Sequence, residues 1–240
     1  MTQEIALVTG ASRGIGLEVV RQLAHKGMRV VLTARNVEKG ESAVKELRAE
    51  GLEASFTELD VDDLASVERA VSEFEQQHGQ LDVLINNAAA FADWSETPSQ
   101  ASLNHARTVM DTNLFGPWRV IQAFLPLLRK SEHARIVNVA SGSGSFGEPQ
   151  FGLTANPVAA SYAISKAALN ALTAKLAVEL KEQGIIVNAT GPGLTATAPG
   201  MEKMGARPIP EGAASIVWTA MLAKDGPTGG FFRDGQQLPW

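Results

Sequence analysis

The chain has no cysteine among its 240 residues, which excludes disulfides, a thiolate nucleophile and any metal centre built on cysteine. Aromatic residues are few, at 6%, and only one of them is a tyrosine, Tyr162. Cations are in the minority, 21 Lys and Arg against 26 Asp and Glu, giving a net charge of −5. That balance supplies no general attraction for nucleic acid or an anionic membrane, and neither partner is expected. No stretch of about 18 apolar residues occurs, and MTQEIALVTG lacks the basic start and long apolar run of a signal peptide. A cytoplasmic protein is expected. His25, His78, His105 and His133 are scattered without ligand spacing, so no metal site is expected either. With no linker, repeat or low-complexity segment, residues 1–240 read as one domain.

What is present is a regular alternation. Strand-like runs at 4–9, 29–34, 53–59, 81–86, 134–140, 185–190 and 229–233 are separated by helical patterns near 15–27, 37–50, 63–78, 99–129, 157–183 and 210–223. Several runs are apolar on both faces, as expected for strands of a parallel sheet covered by helices on each side. The expected fold is α/β: a single doubly wound Rossmann domain with a seven-stranded, mostly parallel sheet and helices on both faces. Two irregular stretches rich in Gly, Pro and Thr, 142–157 and 191–210, follow predicted strands. Ligands in open α/β sheets lie beyond the carboxyl ends of strands, so both are candidate site-builders, with ordinary surface loops as the plain alternative.

The first strand runs into TGASRGIG (9–16), where Gly10, Gly14 and Gly16 precede a helix. Glycines there let the backbone approach a pyrophosphate that rests on the helix's first N–H groups. NAD-binding units usually place an acid at the end of the second strand. This chain has Ala34 there, then Arg35, and Arg13 stands in the glycine turn. Two guanidiniums and no carboxylate suit a 2′-phosphate, so NADP(H) is the expected cofactor.

In ASYAISKAAL (160–169), Lys166 follows Tyr162 by four residues, one helical turn. A free phenol, with a pKa near 10, is a poor acid–base catalyst at neutral pH, and a neighbouring cation favours its ionised form. Together with NNAA (86–89), DTNLFG around Asn113, Ser141 and PGLTAT (192–197), in that order, these motifs resemble the short-chain dehydrogenase/reductase family along nearly the whole chain. The stretches LTARNVEKG, ELDVDDLASV and TGGFFRDGQQLPW are similar to its carbonyl-reductase branch, which reduces aldehydes and ketones with NADPH.

The resemblance implies a catalytic set of Asn113, Ser141, Tyr162 and Lys166. Tyr162 would give the proton, Lys166 would tune it and hold the nicotinamide ribose, Ser141 would polarise the carbonyl, and Asn113 would hold a relay water. Ser143 and Ser145 stand as alternatives to Ser141, and a helix-bending role as the alternative for Asn113. The implied cofactor contacts are Gly10, Ser12, Arg13, Gly14, Ile15 and Gly16 in the turn, with Arg35. Asp60 and Val61 would meet adenine, Asn87 and Ala88 its ribose, and Pro192, Gly193, Leu194, Thr195 and Thr197 the carboxamide. Asn188 resembles a structural residue beside the sheet. Ala89 replaces the motif's usual glycine, and Ala198 a frequent aspartate that helps to hold the late loop.

Phe91, Trp94, Phe146, Phe151, Leu153, Met201 and Met204 are candidate walls of an apolar substrate pocket, about half of them expected to pack loops onto the core instead. The expected activity is reduction of hydrophobic ketones or aldehydes. A 3-oxoacyl-thioester reductase is the alternative, with Lys203 and Arg207 as its possible cations, and a non-catalytic NADP(H)-binding redox sensor is the alternative from another class. Relatives of compact build pair through the helices near 99–129 and 157–183, so a homo-oligomer, dimer or tetramer, is expected over a monomer.

Overall fold

The computed structural model describes residues 3–240. Its elements alternate from the start: β1 (Ile5–Val8), α1 (Gly14–His25), β2 (Arg29–Ala34), α2 (Val37–Ala49), β3 (Ala54–Glu58), α3 (Leu64–His78) and β4 (Val83–Asn86). There follow α4 (Leu103–Met110), α5 (Gly116–Leu128), β5 (Arg135–Val139), α6 (Ala160–Leu180), β6 (Ile186–Thr190), α7 (Ile209–Ala220), β7 (Phe231–Arg233) and β8 (Gln236–Leu238). All strands lie in one sheet ordered β3-β2-β1-β4-β5-β6-β7-β8, parallel except for β8.

The continuous apolar strands have a simple cause. Side chains alternate across a strand, and this sheet has a core on each face. In β1, Ile5 and Leu7 enter the core shared with α3, α5 and α6, whereas Ala6 and Val8 enter the one shared with α1, α2 and α7. In β4, Leu84 joins the first core and Val83 and Ile85 the second. From β1 the chain winds outward to β2 and β3, then returns to β4 on β1's other side. The carboxyl ends of β1 and β4 therefore flank the crevice where such sheets bind ligands.

Two expectations need correction. The sheet has eight strands, not seven, because GGFFR continues into a hairpin. Asp234 and Gly235 join β7 to β8 with φ of 53° and 77°, the double left-handed turn that an Asp-Gly pair favours. The helix expected across 99–129 is broken. α4 ends at Met110, a π-helical turn occupies Asp111–Phe115, and α5 begins at Gly116, where an added Cβ would lie 2.9 Å from the Val61 side chain. The wider turn swings Asn113 inward, to zero exposure.

Candidate active site

The β1–α1 turn is shaped by what it cannot contain. A Cβ on Gly16 would lie 2.5 Å from Asn87 Nδ2 and 2.8 Å from the Gly10 carbonyl oxygen, and one on Gly10 would lie 2.8 Å from Ala88 Cα. Gly10 and Gly14 also take positive φ, 63° and 59°. Thr9 stitches this turn to the 86–89 segment: its hydroxyl accepts from Asn87 N and Ala88 N at 3.0 Å, while Asn87 Nδ2 donates to the Thr9 and Gly10 carbonyls. Ala89 is accommodated without a left-handed backbone, so its methyl brings no turn strain.

Helix α1 receives no side-chain cap from Arg13, so the first-turn N–H groups are free to receive an anion beside the half-buried Ser12, Gly14 and Ile15. Arg13 and Arg35 are exposed and form no ion pair among the described residues, and Ala34 is buried between them and the strand core. A dinucleotide with an extra phosphate fits this donor set, and the β3 residue in register with Ala34 is the exposed Glu58. Asp60 and Val61 lie just beyond β3. Asp60 N donates to Ser66 Oγ at 3.0 Å, and the Val61 carbonyl accepts from Arg119.

The catalytic candidates converge at the carboxyl end of β5. Lys166 Nζ donates to the Val139 carbonyl at 2.8 Å and lies 5.6 Å from the Tyr162 ring centroid. Lys166 is only 2% exposed, and burial pushes its ammonium down to about 8. Burial likewise pushes the Tyr162 phenol up to about 12, and the Ser141 hydroxyl beside it pulls in the opposite direction. At neutral pH the phenol therefore holds its proton and the lysine stays largely charged, which is the acid form of the pair. Ser143 donates to Ser141 Oγ from its hydroxyl at 2.9 Å and from its amide at 3.2 Å. With both lone pairs taken, the Ser141 O–H is left as a donor. Asn113 accepts from Ala90 N at 2.8 Å and donates to the Ala90 carbonyl and to Ser165 Oγ, both at 2.9 Å.

The loops over this centre are held from afar. Arg207 Nε donates to the Pro192 carbonyl at 2.7 Å, and its NH1 contacts both oxygens of Asp234 at 2.8 and 2.9 Å. Backbone bonds Ala196 N to Arg207 O and Arg207 N to Leu194 O close a bridge, and the buried Thr195 donates to the Pro192 and Gly193 carbonyls at 3.2 Å. Exposed Thr197 lies with its hydroxyl 3.8 Å from the Met201 sulfur. Phe91 stacks on the Tyr162 ring at 5.2 Å with an 18° tilt, and Trp94 lies 6.1 Å from it.

A family profile described as short chain dehydrogenase matches residues 4–207. The chain belongs to the short-chain dehydrogenase family. Carbonyl reductase 1 (NADPH) of Sus scrofa is 36% identical over 279 residues, covering 98% of this chain and 94% of the relative. A 3-oxoacyl-acyl-carrier-protein reductase of Staphylococcus aureus is 37% identical over 189 residues, covering 78% and 73%. Among solved structures, NADPH-bound carbonyl reductase from chicken fatty liver superposes with a TM-score of 0.87 at 27% identity, over 100% of both chains. The chain is thus an oxidoreductase of carbonyl-reductase-like build, and none of its helices is long and apolar enough to cross a membrane.

For a member of this family, several supporting residues escape motif reading. Ser145 is not a substitute for Ser141: it is fully buried, donates to the Pro239 carbonyl and accepts from Gly147 N and Glu148 N. Phe146 N donates to the Trp240 carbonyl at 2.9 Å, so the 239–240 segment braces the 142–157 stretch. Arg207, considered as a free cation for an anionic substrate, is bonded to the Pro192 carbonyl of the late loop and paired with Asp234. Asn188 is structural, accepting from Gly230 N and donating to the Pro227 carbonyl. The pocket candidates pack less than expected: Phe91, Trp94, Phe146, Phe151 and Met204 are all exposed, while Leu153 and Met201 are half-buried.

Proposed function

We propose that this chain is an NADPH-dependent carbonyl reductase acting on hydrophobic ketones or aldehydes. The observation that carries the reading is the buried pair Tyr162 and Lys166 beside the Ser141 hydroxyl, in its acid form at neutral pH. The Ser141 O–H holds the substrate carbonyl oxygen and polarises it. Tyr162 delivers its proton to that oxygen as negative charge develops, and the nearby Lys166 ammonium stabilises the phenolate left behind. Bound NADPH supplies the hydride. Lys166 and the Pro192–Thr197 loop would hold its nicotinamide half, the Gly10–Gly16 turn its pyrophosphate, Asp60, Val61, Asn87 and Ala88 its adenosine, and Arg13 and Arg35 its 2′-phosphate. Phe91, Trp94, Phe146, Phe151, Met201 and Met204 line the apolar approach. Leu103, Phe115, Trp118, Ile164 and Val178, exposed on and beside α4, α5 and α6, support pairing of two copies through that face.

Similarity to a 3-oxoacyl-acyl-carrier-protein reductase keeps thioester substrates as a second reading. The engagement of Arg207 with Asp234 leaves exposed Lys203 as the cation available to that reading. The test is initial-rate oxidation of NADPH and of NADH against aromatic aldehydes, cyclic ketones and a 3-oxoacyl thioester, for the wild type and Tyr162→Phe. The expected result is turnover of apolar carbonyls with NADPH, abolished in the phenylalanine variant while NADPH still binds. A preference for the thioester would select the second reading. A Tyr162→Phe enzyme turning over at the wild-type rate would remove Tyr162 as proton donor.

A further inference from the structure

Helix α6 carries Tyr162 and Lys166, yet nothing in its own sequence caps its first turn. The N-cap is Ala159, which has no side-chain acceptor and adopts a left-handed φ of 51°. Open N–H groups at a helix start need an acceptor. Here the acceptor comes from the loop after β4. Glu96 Oε1 takes the Ser161 amide at 2.8 Å and the Ser161 hydroxyl at 2.6 Å, and the Glu96 main-chain oxygen takes the Ala160 amide at 3.3 Å. Glu96 has no cation as partner among the described residues, so its carboxylate is committed to this one helical turn. Ser161 immediately precedes Tyr162.

The other end of the same loop is fixed in a matching way. Asn113 holds Ala90 through two bonds and donates to Ser165 Oγ, which in turn donates to the Tyr162 carbonyl at 2.7 Å. Residues 90–96 thus form a strap across α6, anchored at Ala90 and at Glu96. Between the anchors it lays Phe91 on the Tyr162 ring and sets Trp94 at its edge.

We propose that Glu96 is a positioning residue for Tyr162. Its carboxylate replaces the missing N-cap, sets the first turn of α6 and so aims the phenol at the carbonyl held by Ser141. This rests on the reading of Tyr162 as proton donor. The alternative is that Glu96 is an ordinary helix cap, which would lower stability and leave the chemistry alone.

The two are separated by measuring kcat, KM, NADPH affinity and melting temperature for Glu96→Ala, Glu96→Gln, Ser161→Ala and the double variant Glu96→Ala/Ser161→Ala, with Tyr162→Phe in parallel. Small misplacements of a reacting group cost about 100-fold at the severe end. The expected loss in kcat for Glu96→Ala is about tenfold or more, with NADPH affinity within about twofold of wild type. Glu96→Gln, which keeps an acceptor of the same reach, is expected to recover kcat to within about threefold of wild type. The double variant should be no worse than Glu96→Ala, because the two side chains share one interaction. A Glu96→Ala enzyme with a lowered melting temperature and wild-type kcat would overturn the inference, and so would a glutamine variant as slow as the alanine one. If Glu96→Ala does not fold, Ser161→Ala decides: a kcat loss with unchanged NADPH affinity supports the strap, and an unchanged kcat rejects it. Retention of turnover by Tyr162→Phe would instead mark failure of the underlying reading.

Discussion

The two halves of the crevice are built by different means. On the β1 side, the glycine turn and the 86–89 segment meet backbone to backbone, with Gly16, Gly10 and Thr9 leaving no slack. On the other side, the loops after β4, β5 and β6 expose Phe91, Trp94, Phe146, Phe151 and Met204 and are held by remote partners: Arg207 by Asp234, Ser145 by Pro239, Phe146 by Trp240. A cradle for an invariant ligand tolerates no variation in the backbone itself. A pocket for a variable substrate gains from loops whose tips are free and whose bases are tied. The contrast makes distinct predictions for substitutions in each half.

The largest effect is expected at Gly16. The alanine methyl of Gly16→Ala meets Asn87 Nδ2, the Gly10 oxygen and Ala11 Cα at 2.5, 2.8 and 2.9 Å, and two of those are backbone atoms that cannot swing away. Overpacking of this kind costs about 1–3 kcal/mol and displaces the turn. NADPH affinity is expected to fall about 100-fold, which equals about 2.7 kcal/mol, read by fluorescence titration. Gly14→Ala offers the control. Nothing lies within 4 Å of its Cβ, and only the 59° φ opposes it, a cost on the order of 1 kcal/mol. Equal behaviour of the two variants would show that crowding is not what shapes the turn.

The same contrast explains what could be read from the sequence. The glycine spacing, the Tyr162–Lys166 turn and the doubly apolar strands are local patterns, set by backbone reach, by 3.6-residue periodicity and by burial on two faces. They were legible. The π turn at Asp111–Phe115 was not, although Asp-Thr-Asn and the Gly116-Pro117 pair that follows weaken a continuous helix there; the wider turn accompanies the bonds of Asn113 to Ala90 and Ser165, which lie far apart in the chain. β8 carried a signal in Asp234-Gly235 that its short, polar run obscured. The clasps at Arg207, Ser145 and Glu96 join residues 27, 94 and 65 positions apart, and no spacing rule reaches that far.

An intermediate effect is expected from cutting one such clasp. Arg207→Ala removes the Nε bond to the Pro192 carbonyl and the bidentate contact with Asp234, an ion pair that is partly solvated and correspondingly discounted. The bond to Pro192 is the one that matters, because it fixes the loop proposed to hold the nicotinamide half. A charge-assisted hydrogen bond of this kind contributes about 1.5–3 kcal/mol, so the KM for NADPH is expected to rise about tenfold. Asp234→Asn, which keeps Arg207 over Pro192, should raise it far less. If both variants raise KM equally, the ion pair and not the carbonyl bond sets the loop.

The smallest effect on the fold, and the sharpest on substrate choice, is expected at the loop tips. Phe146 and Phe151 are 67% and 47% exposed, so truncating either removes little that folding had buried. A packed phenylalanine would cost about 3–5 kcal/mol on conversion to alanine, whereas an exposed one falls within about 0.5 kcal/mol. Phe146→Ala and Phe151→Ala are therefore expected to melt within a degree or two of wild type and to bind NADPH normally. Their bases stay tied, since the bonds from Phe146 N to Trp240 and from Phe151 N to the Glu148 carboxylate come from the main chain and survive the change. What should change is KM across a ladder of carbonyls of increasing apolar bulk: larger substrates should lose several-fold and the smallest almost nothing. A uniform loss over the ladder would mean that the rings hold the loop and not the substrate, and a drop in melting temperature of several degrees would mean that they pack after all. Either result would erase the contrast between tied bases and free tips on this side of the crevice.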